Sequence, residues 1–278
     1  MMIDIVAAIA DPNLFRPFVT GSPDGDLSSW TRWLTFLRVL NGIAATDEDS
    51  ETITACTGRT GCSPNGYTEA LLLCGRRAGK SKVVALVGAA EAVLSGKEKR
   101  MSPGEIPLVA VISPTRLQSK VIFSYMRAVF ASTPMLANEV QEEKRDGFKL
   151  KNGVEVTVLT GDPRTVRGFS VIAAVIDEIS FFGLTEESKV RSDAELVRAI
   201  RPSLASTGGK LLAVGTPYAA KGYAFETWKR AWGNDDADVL VWNSPSVFMN
   251  PTLNPQIVTR AVEEDPIAAS VEYCVSPG

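Results

Sequence analysis

Histidine is absent from this chain. Without it, Ser-His-Asp and Cys-His nucleophilic chemistry is excluded. Cysteine is scarce: Cys56, Cys62, Cys74 and Cys274 show no paired C-x-x-C spacing, which argues against an ordinary zinc site. Any catalysis must then run on carboxylates, Lys, Arg and a metal. Long apolar runs are missing as well, each being broken well before the roughly 18 residues of a membrane-spanning helix. Met1–Ala10 carries Asp4 and no Lys or Arg, so it does not read as a signal peptide. A cytosolic location is expected. Nor is there a basic excess: 29 Lys and Arg face 32 Asp and Glu, for a net charge of −3. That balance argues against a stand-alone nucleic-acid-binding module, though not against a motor that touches DNA through a local patch.

What is present is ordinary globular composition, with 278 residues, 45% hydrophobic and 22% charged, enough for one large α/β domain or one domain with a small appendage. Residues 11–29 read as an irregular arm. Trp30, Trp33, Leu34, Leu37, Val39 and Leu40 recur at helical spacing, with Ser28 or Ser29 as N-cap, Gly42 as stop and an aromatic stripe suited to core packing. Residues 46–68 turn polar and Gly-rich, and Thr57-Gly58-Arg59 is expected in a surface loop.

A strand-then-helix rhythm begins at Ala70. Leu71–Cys74 suits a buried parallel strand, followed by a helix from Lys80 to Leu94. Leu108–Ile112 and Arg116–Phe130 repeat the pair. Phe148–Leu159 alternates apolar and polar residues around Asn152-Gly153, the signature of a β-hairpin. Val171–Ile176 and Leu211–Val214 are further buried runs. Strands alternating with helices imply a mainly parallel sheet covered on both faces, with the hairpin as an insertion.

Gly75-Arg76-Arg77-Ala78-Gly79-Lys80-Ser81 joins the first strand to its helix. Small residues let backbone N–H groups curl around phosphate oxygens, and the helix N-terminus adds partial positive charge. Lys80 would reach the β- and γ-phosphates of ATP, and the Ser81 hydroxyl would ligate Mg²⁺. The usual spacing places a glycine at position 74, where this chain has Cys74, so the loop is a variant. The third buried run ends in Asp177-Glu178. Consecutive side chains at a strand end point in different directions. Asp177 would hold Mg²⁺, largely through its water shell, while Glu178 would orient or deprotonate the attacking water.

Together these segments resemble the ATPase domain of the large terminase subunit, the DNA-packaging motor of tailed phages. Arg76–Ser81 is similar to that family's arginine-bearing phosphate loop. Ile112-Ser113-Pro114-Thr115-Arg116 resembles a segment shared with helicases, and Arg167-Gly168 followed by Val175–Glu178 the stretch leading into the catalytic acids. Val214-Gly215-Thr216-Pro217 resembles the coupling motif, although Gly215 stands where a hydroxyl residue is common. Met249-Asn250-Pro251 and Glu272-Tyr273 resemble the segment that leaves the domain.

The resemblance implies a P-loop NTPase with a RecA-like, mainly parallel sheet. It divides the chain into an N-terminal arm, helix and loop (1–68), an ATPase core (69–245) and a segment leading toward a nuclease domain (246–278). It implies ATP and Mg²⁺ as cofactors. The implied partners are double-stranded DNA, a portal protein, a small terminase subunit and further copies of the chain in a ring, pentameric on the portal. The cytoplasm of an infected bacterium is the implied setting. Arg76 becomes the candidate γ-phosphate-sensing arginine in cis, with Arg77 facing solvent or a neighbour. Arg164 and Arg167 either supply a finger in trans or pair with surface acids. Thr216 either senses the γ-phosphate or is an ordinary strand exit. Lys144, Arg145, Lys149 and Lys151 either touch DNA phosphates or form a solvated face. Because the chain stops at Gly278, it is expected to be a motor domain without DNA cleavage.

Two rivals remain. A helicase-like ATPase normally needs a second RecA-like domain, and only about sixty residues follow Pro217. A non-catalytic nucleotide-binding adaptor would not require a water-activating acid such as Glu178. The adenine pocket is undefined, with Arg59 and Tyr67 as candidate contacts.

Overall fold

The computed structural model describes residues 3–160, 169–182, 192–217 and 221–274. Arg164 and Arg167 lie outside these described residues. Eight strands form a mixed sheet in the order β3-β4-β5-β2-β6-β7-β1-β8. They are β1 (Glu69–Cys74), β2 (Pro107–Ser113), β3 (Val140–Lys144), β4 (Gly147–Leu150), β5 (Glu155–Thr160), β6 (Ser170–Ile176), β7 (Lys210–Gly215) and β8 (Val239–Ser244). Pairing is parallel for β1–β8, β2–β5 and β2–β6, and antiparallel through β3, β4 and β5. The helices used below are α1 (Thr31–Asn41), α2 (Asp49–Thr57), α3 (Lys80–Val93), α4 (Arg116–Ala131), α5 (Asp193–Thr207) and α6 (Gly222–Ala231).

The chain divides into two compact units. The first comprises Met1–Leu27, Ser81–Asp177 and Phe182–Leu212. Its central strand β2 is buried at all seven positions, and β6 is buried beyond Ser170, as unbroken apolar runs require. Helix α3 is buried continuously from Val83 to Ala92, a helix apolar on every side and therefore a core element. Helix α4 starts with a reciprocal Thr115–Gln118 capping box, and its Phe123 and Phe130 rings pack on Phe148 of β4. The β4–β5 hairpin turns at Gly153, whose φ of +89° suits the Asn-Gly signal. Lys144 is paired with Glu155 at 2.7 Å, and Lys151 donates to Asn138. Helix α5 is tied to β6 by side chains: Ser203 Oγ accepts from the Val171 N–H, and Thr207 Oγ1 donates to the Val171 carbonyl.

The second unit comprises Ser28–Lys80, Glu178–Phe181 and Ala213–Gly278. Trp33 and Phe36 of α1 meet edge to face, and Phe36 does the same with the fully buried Trp242 of β8. Gly42 ends α1 at a φ of +64°. A buried carboxylate joins α1 to α2: Asp49 accepts from Thr35, from Arg38 at 2.8 Å and from the Thr46 N–H at 2.8 Å. Burial raises the Asp49 pKa, but hydrogen bonds from Thr35 and Thr46 and the Arg38 charge outweigh it. The net shift is downward from the ordinary value.

Four expectations need correction. The polar stretch 46–68 contains α2, because Thr52, Ile53 and Cys56 bury one side of it. Arg59 is not in a surface loop but fully buried. Its guanidinium donates to Tyr67 Oη at 2.6 Å and to the carbonyls of Ala231 and Val239, so it pins the core. Ser28 and Ser29 do not cap α1. They lie in a 3-10 turn, Ser28–Trp30, that leads into it, and Trp30 holds the N-cap position without a side-chain cap hydrogen bond. The arm 11–29 includes a short helix, Arg16–Thr20, started by Pro17.

Candidate phosphate-binding loop

Strand β1 ends at Cys74, and α3 begins at Lys80. Between them, Arg77 and Gly79 adopt left-handed backbone conformations, with φ of +65° and +102°. Two left-handed residues so close together coil the loop tightly, and the Gly75, Arg76 and Ala78 N–H groups donate to the carbonyls of Ser244, Glu272 and Gly75. Arg77 is exposed and has no glycine's freedom there, so its conformation is held by its surroundings.

Those surroundings come from distant sequence. The Trp33 indole Nε1 donates to the Ala78 carbonyl at 3.0 Å, and a Cβ at Gly79 would meet that same nitrogen at 3.0 Å. Asn250 donates its side-chain amide to the Arg77 carbonyl at 2.8 Å. Gly75 is buried, and a Cβ there would lie 2.1 Å from Ser246 Oγ and 2.7 Å from the Tyr273 carbonyl oxygen. Only glycine admits that approach. The exposed Arg76 pairs with Glu272 at 2.9 Å, and its N–H donates to the Glu272 carbonyl at 2.6 Å. Lys80 turns back on the loop, Nζ donating to the carbonyls of Cys74 at 2.6 Å and Gly75 at 3.0 Å. Ser81, half-buried, opens the first-unit part of α3.

Asp177 follows β6 directly, is 7% exposed, and donates its N–H to the Ile112 carbonyl of β2 at 2.8 Å. The parallel register that pairs Ile112 with Ile176 thus extends one residue past the strand. Glu178 has a φ of +49°, unusual for a residue with a side chain. Its carbonyl accepts from Phe181, closing a tight turn. That turn is joined to the exit of β7: Ser180 Oγ donates to the Thr216 carbonyl at 3.2 Å, and Thr216 is 8% exposed. Within the second unit the structure therefore brings Glu178's turn and Thr216 together, and holds Gly75, Arg76, Arg77, Ala78 and Gly79 against Trp33 and the C-terminal segment.

Sequence reading treated Trp33 as core packing alone. It gave Ser246 no part, and Asn250 and Glu272 only a family resemblance. No local signal marks any of them as a brace, since each acts across a long sequence separation.

A strand–loop–helix of this form on a mostly parallel eight-stranded sheet defines a P-loop NTPase fold, as the sequence led one to expect. Compared by sequence, the chain matches no family model and no curated protein. By structure it is similar to the large terminase of bacteriophage HK97, at 17% identity and a TM-score of 0.65, covering 100% of this chain and 55% of that one. It is similar to the ATPase domain of a Thermus phage large terminase, at 17% identity and a TM-score of 0.56, covering 87% of this chain and 98% of that one. A third likeness is to the large terminase of a thermophilic bacteriophage in complex with ADP, at 13% identity and a TM-score of 0.55, covering 87% and 52%. The chain thus spans about half the length of the two whole terminases. At such identities these likenesses establish the fold, and in fold the terminase resemblance is borne out.

Proposed function

We propose that this chain is the ATP-hydrolysing motor domain of a large terminase subunit, powering translocation of double-stranded viral DNA into a procapsid in the cytoplasm of an infected bacterium. The observation that carries the reading is the loop from Gly75 to Gly79, left-handed at Arg77 and Gly79, between a buried strand and a helix that opens with Lys80 and Ser81. The fold adds support, because a similar terminase was solved with ADP bound.

The residues suit a magnesium triphosphate. Lys80 would exchange its carbonyl partners at Cys74 and Gly75 for phosphate oxygens. The Ser81 hydroxyl and the Asp177 carboxylate are hard oxygen donors of the kind Mg²⁺ takes. When bound, Mg²⁺ neutralises charge on the phosphate oxygens. Glu178 would orient the attacking water and take its proton. Arg76 would place positive charge at the γ-phosphate, and Thr216, joined to the Glu178 turn through Ser180, would register its loss. Double-stranded DNA, a portal protein, a small terminase subunit and a ring of further copies are the partners this function requires.

Phosphate release by wild type, Lys80→Ala and Glu178→Gln tests the assignment. Both variants should lose about 10²–10⁴ in turnover, while Glu178→Gln keeps nucleotide binding and Lys80→Ala loses it. Undiminished turnover in Glu178→Gln would sink the role given to Glu178, and binding without turnover in all three proteins would favour an adaptor.

A further inference from the structure

The C-terminal segment of the second unit grips three successive residues of the phosphate loop. The Tyr273 carbonyl abuts Gly75, Glu272 bonds the Arg76 backbone and side chain, and Asn250 bonds the Arg77 carbonyl. The carbonyl and amide contacts already hold the loop's backbone. The ion pair brings something packing does not need: a carboxylate on the arginine assigned to the γ-phosphate. With 62% of the Arg76 side chain and 34% of the Glu272 side chain exposed, the pair is water-screened and weak. A guanidinium binds phosphate oxygens with the same forked geometry as a carboxylate, and a terminal phosphate carries more charge.

We propose that Glu272 competes with the γ-phosphate for Arg76: it holds the guanidinium when the loop is empty or carries a diphosphate, and is released when a triphosphate arrives. Glu272 is a positioning residue that acts through Arg76. Its release frees the side-chain hold on the turn Ser270–Cys274, so the nucleotide state reaches the C-terminal segment. This rests on reading the loop as the nucleotide site.

The test compares ATP-γ-S with ADP, by calorimetry, on the full chain as wild type, Glu272→Gln, Arg76→Ala and the double variant. Glu272→Gln should tighten ATP-γ-S by about two- to fivefold, the range of an exposed ion pair, and leave ADP unchanged. In the Arg76→Ala background the same substitution should change neither. Equal shifts for both nucleotides, no shift, or a shift that persists without Arg76 would each overturn the proposal. If wild type binds neither nucleotide, the nucleotide-site reading itself fails and takes this inference with it. Unchanged melting temperatures confirm that the comparison is between folded proteins.

Discussion

Two turns in this molecule are stabilised in opposite ways. The β4–β5 hairpin closes chiefly on its own chemistry: Asn152 Oδ1 accepts from the Val154 N–H, Gly153 takes the left-handed conformation, and the strands pair directly across, with outside ties from Asn152 Nδ2 to the Ala92 carbonyl and from the Lys151 N–H to the Glu139 carbonyl. The loop from Gly75 to Gly79 closes only in part on itself, through Lys80 Nζ to the Cys74 and Gly75 carbonyls and through the Ala78 N–H to the Gly75 carbonyl. The rest of its shape is imposed by Trp33 on one side and by Ser246, Asn250 and the Glu272 and Tyr273 carbonyls on the other. A self-closed turn tolerates change elsewhere, whereas an imposed turn inherits every disturbance of its supports.

The largest break should come at Gly75. Gly75→Ala puts a methyl group against backbone at Tyr273 and Ser246, and overpacking of that kind costs about 3 kcal/mol. Chemical denaturation should show the loss, together with abolished nucleotide binding. If Gly75→Ala melts and binds like wild type, the brace is not what shapes the loop.

A smaller effect is expected one layer back, at Asp49, which ties α2 to the helix that carries Trp33. Asp49→Asn removes the charge that Arg38 meets and should cost about 1–2 kcal/mol. The lowered pKa fixes the sign. A depressed carboxyl pKa contributes stability above its ordinary value of 3.8, and this is lost as pH falls through the folded value. The gap between wild type and variant should therefore be constant at neutral pH and shrink only below about pH 4. A gap that widens on acidification would refute the assignment.

The smallest effect sharpens the contrast. Gly153→Ala strains only its own turn and should cost about 1 kcal/mol, with turnover unchanged. Measurable loss of ATPase activity would show that the hairpin is not independent of the site.

The same contrast explains what could be read in advance. Strands β1, β2, β6 and β7 announce themselves as unbroken apolar runs, and the hairpin by Asn152-Gly153. These signals are local because burial on both faces, or a left-handed turn, restricts residue type in place. Lys80, Asp177 and Glu178 were legible as candidates because phosphate and metal chemistry narrows the choice at strand ends. Helix α2 was hidden because its buried side uses Thr and Cys beside one isoleucine. Strand β3 was hidden because Gln141, Glu142 and Glu143 are exposed along an edge, where charge rather than burial is the rule. Arg59 was misplaced because its burial depends on acceptors at Ala231 and Val239 that no local reading could supply.

The close approach at Gly75 also ties together two stretches far apart in the chain. A side chain at that position demands that the backbone at Ser246 and Tyr273 recede, and such a retreat would draw Glu272 away from Arg76. Relatives of this protein should therefore vary the phosphate loop and the C-terminal segment in concert. Exchanging either one alone between them would import a mismatch at this contact.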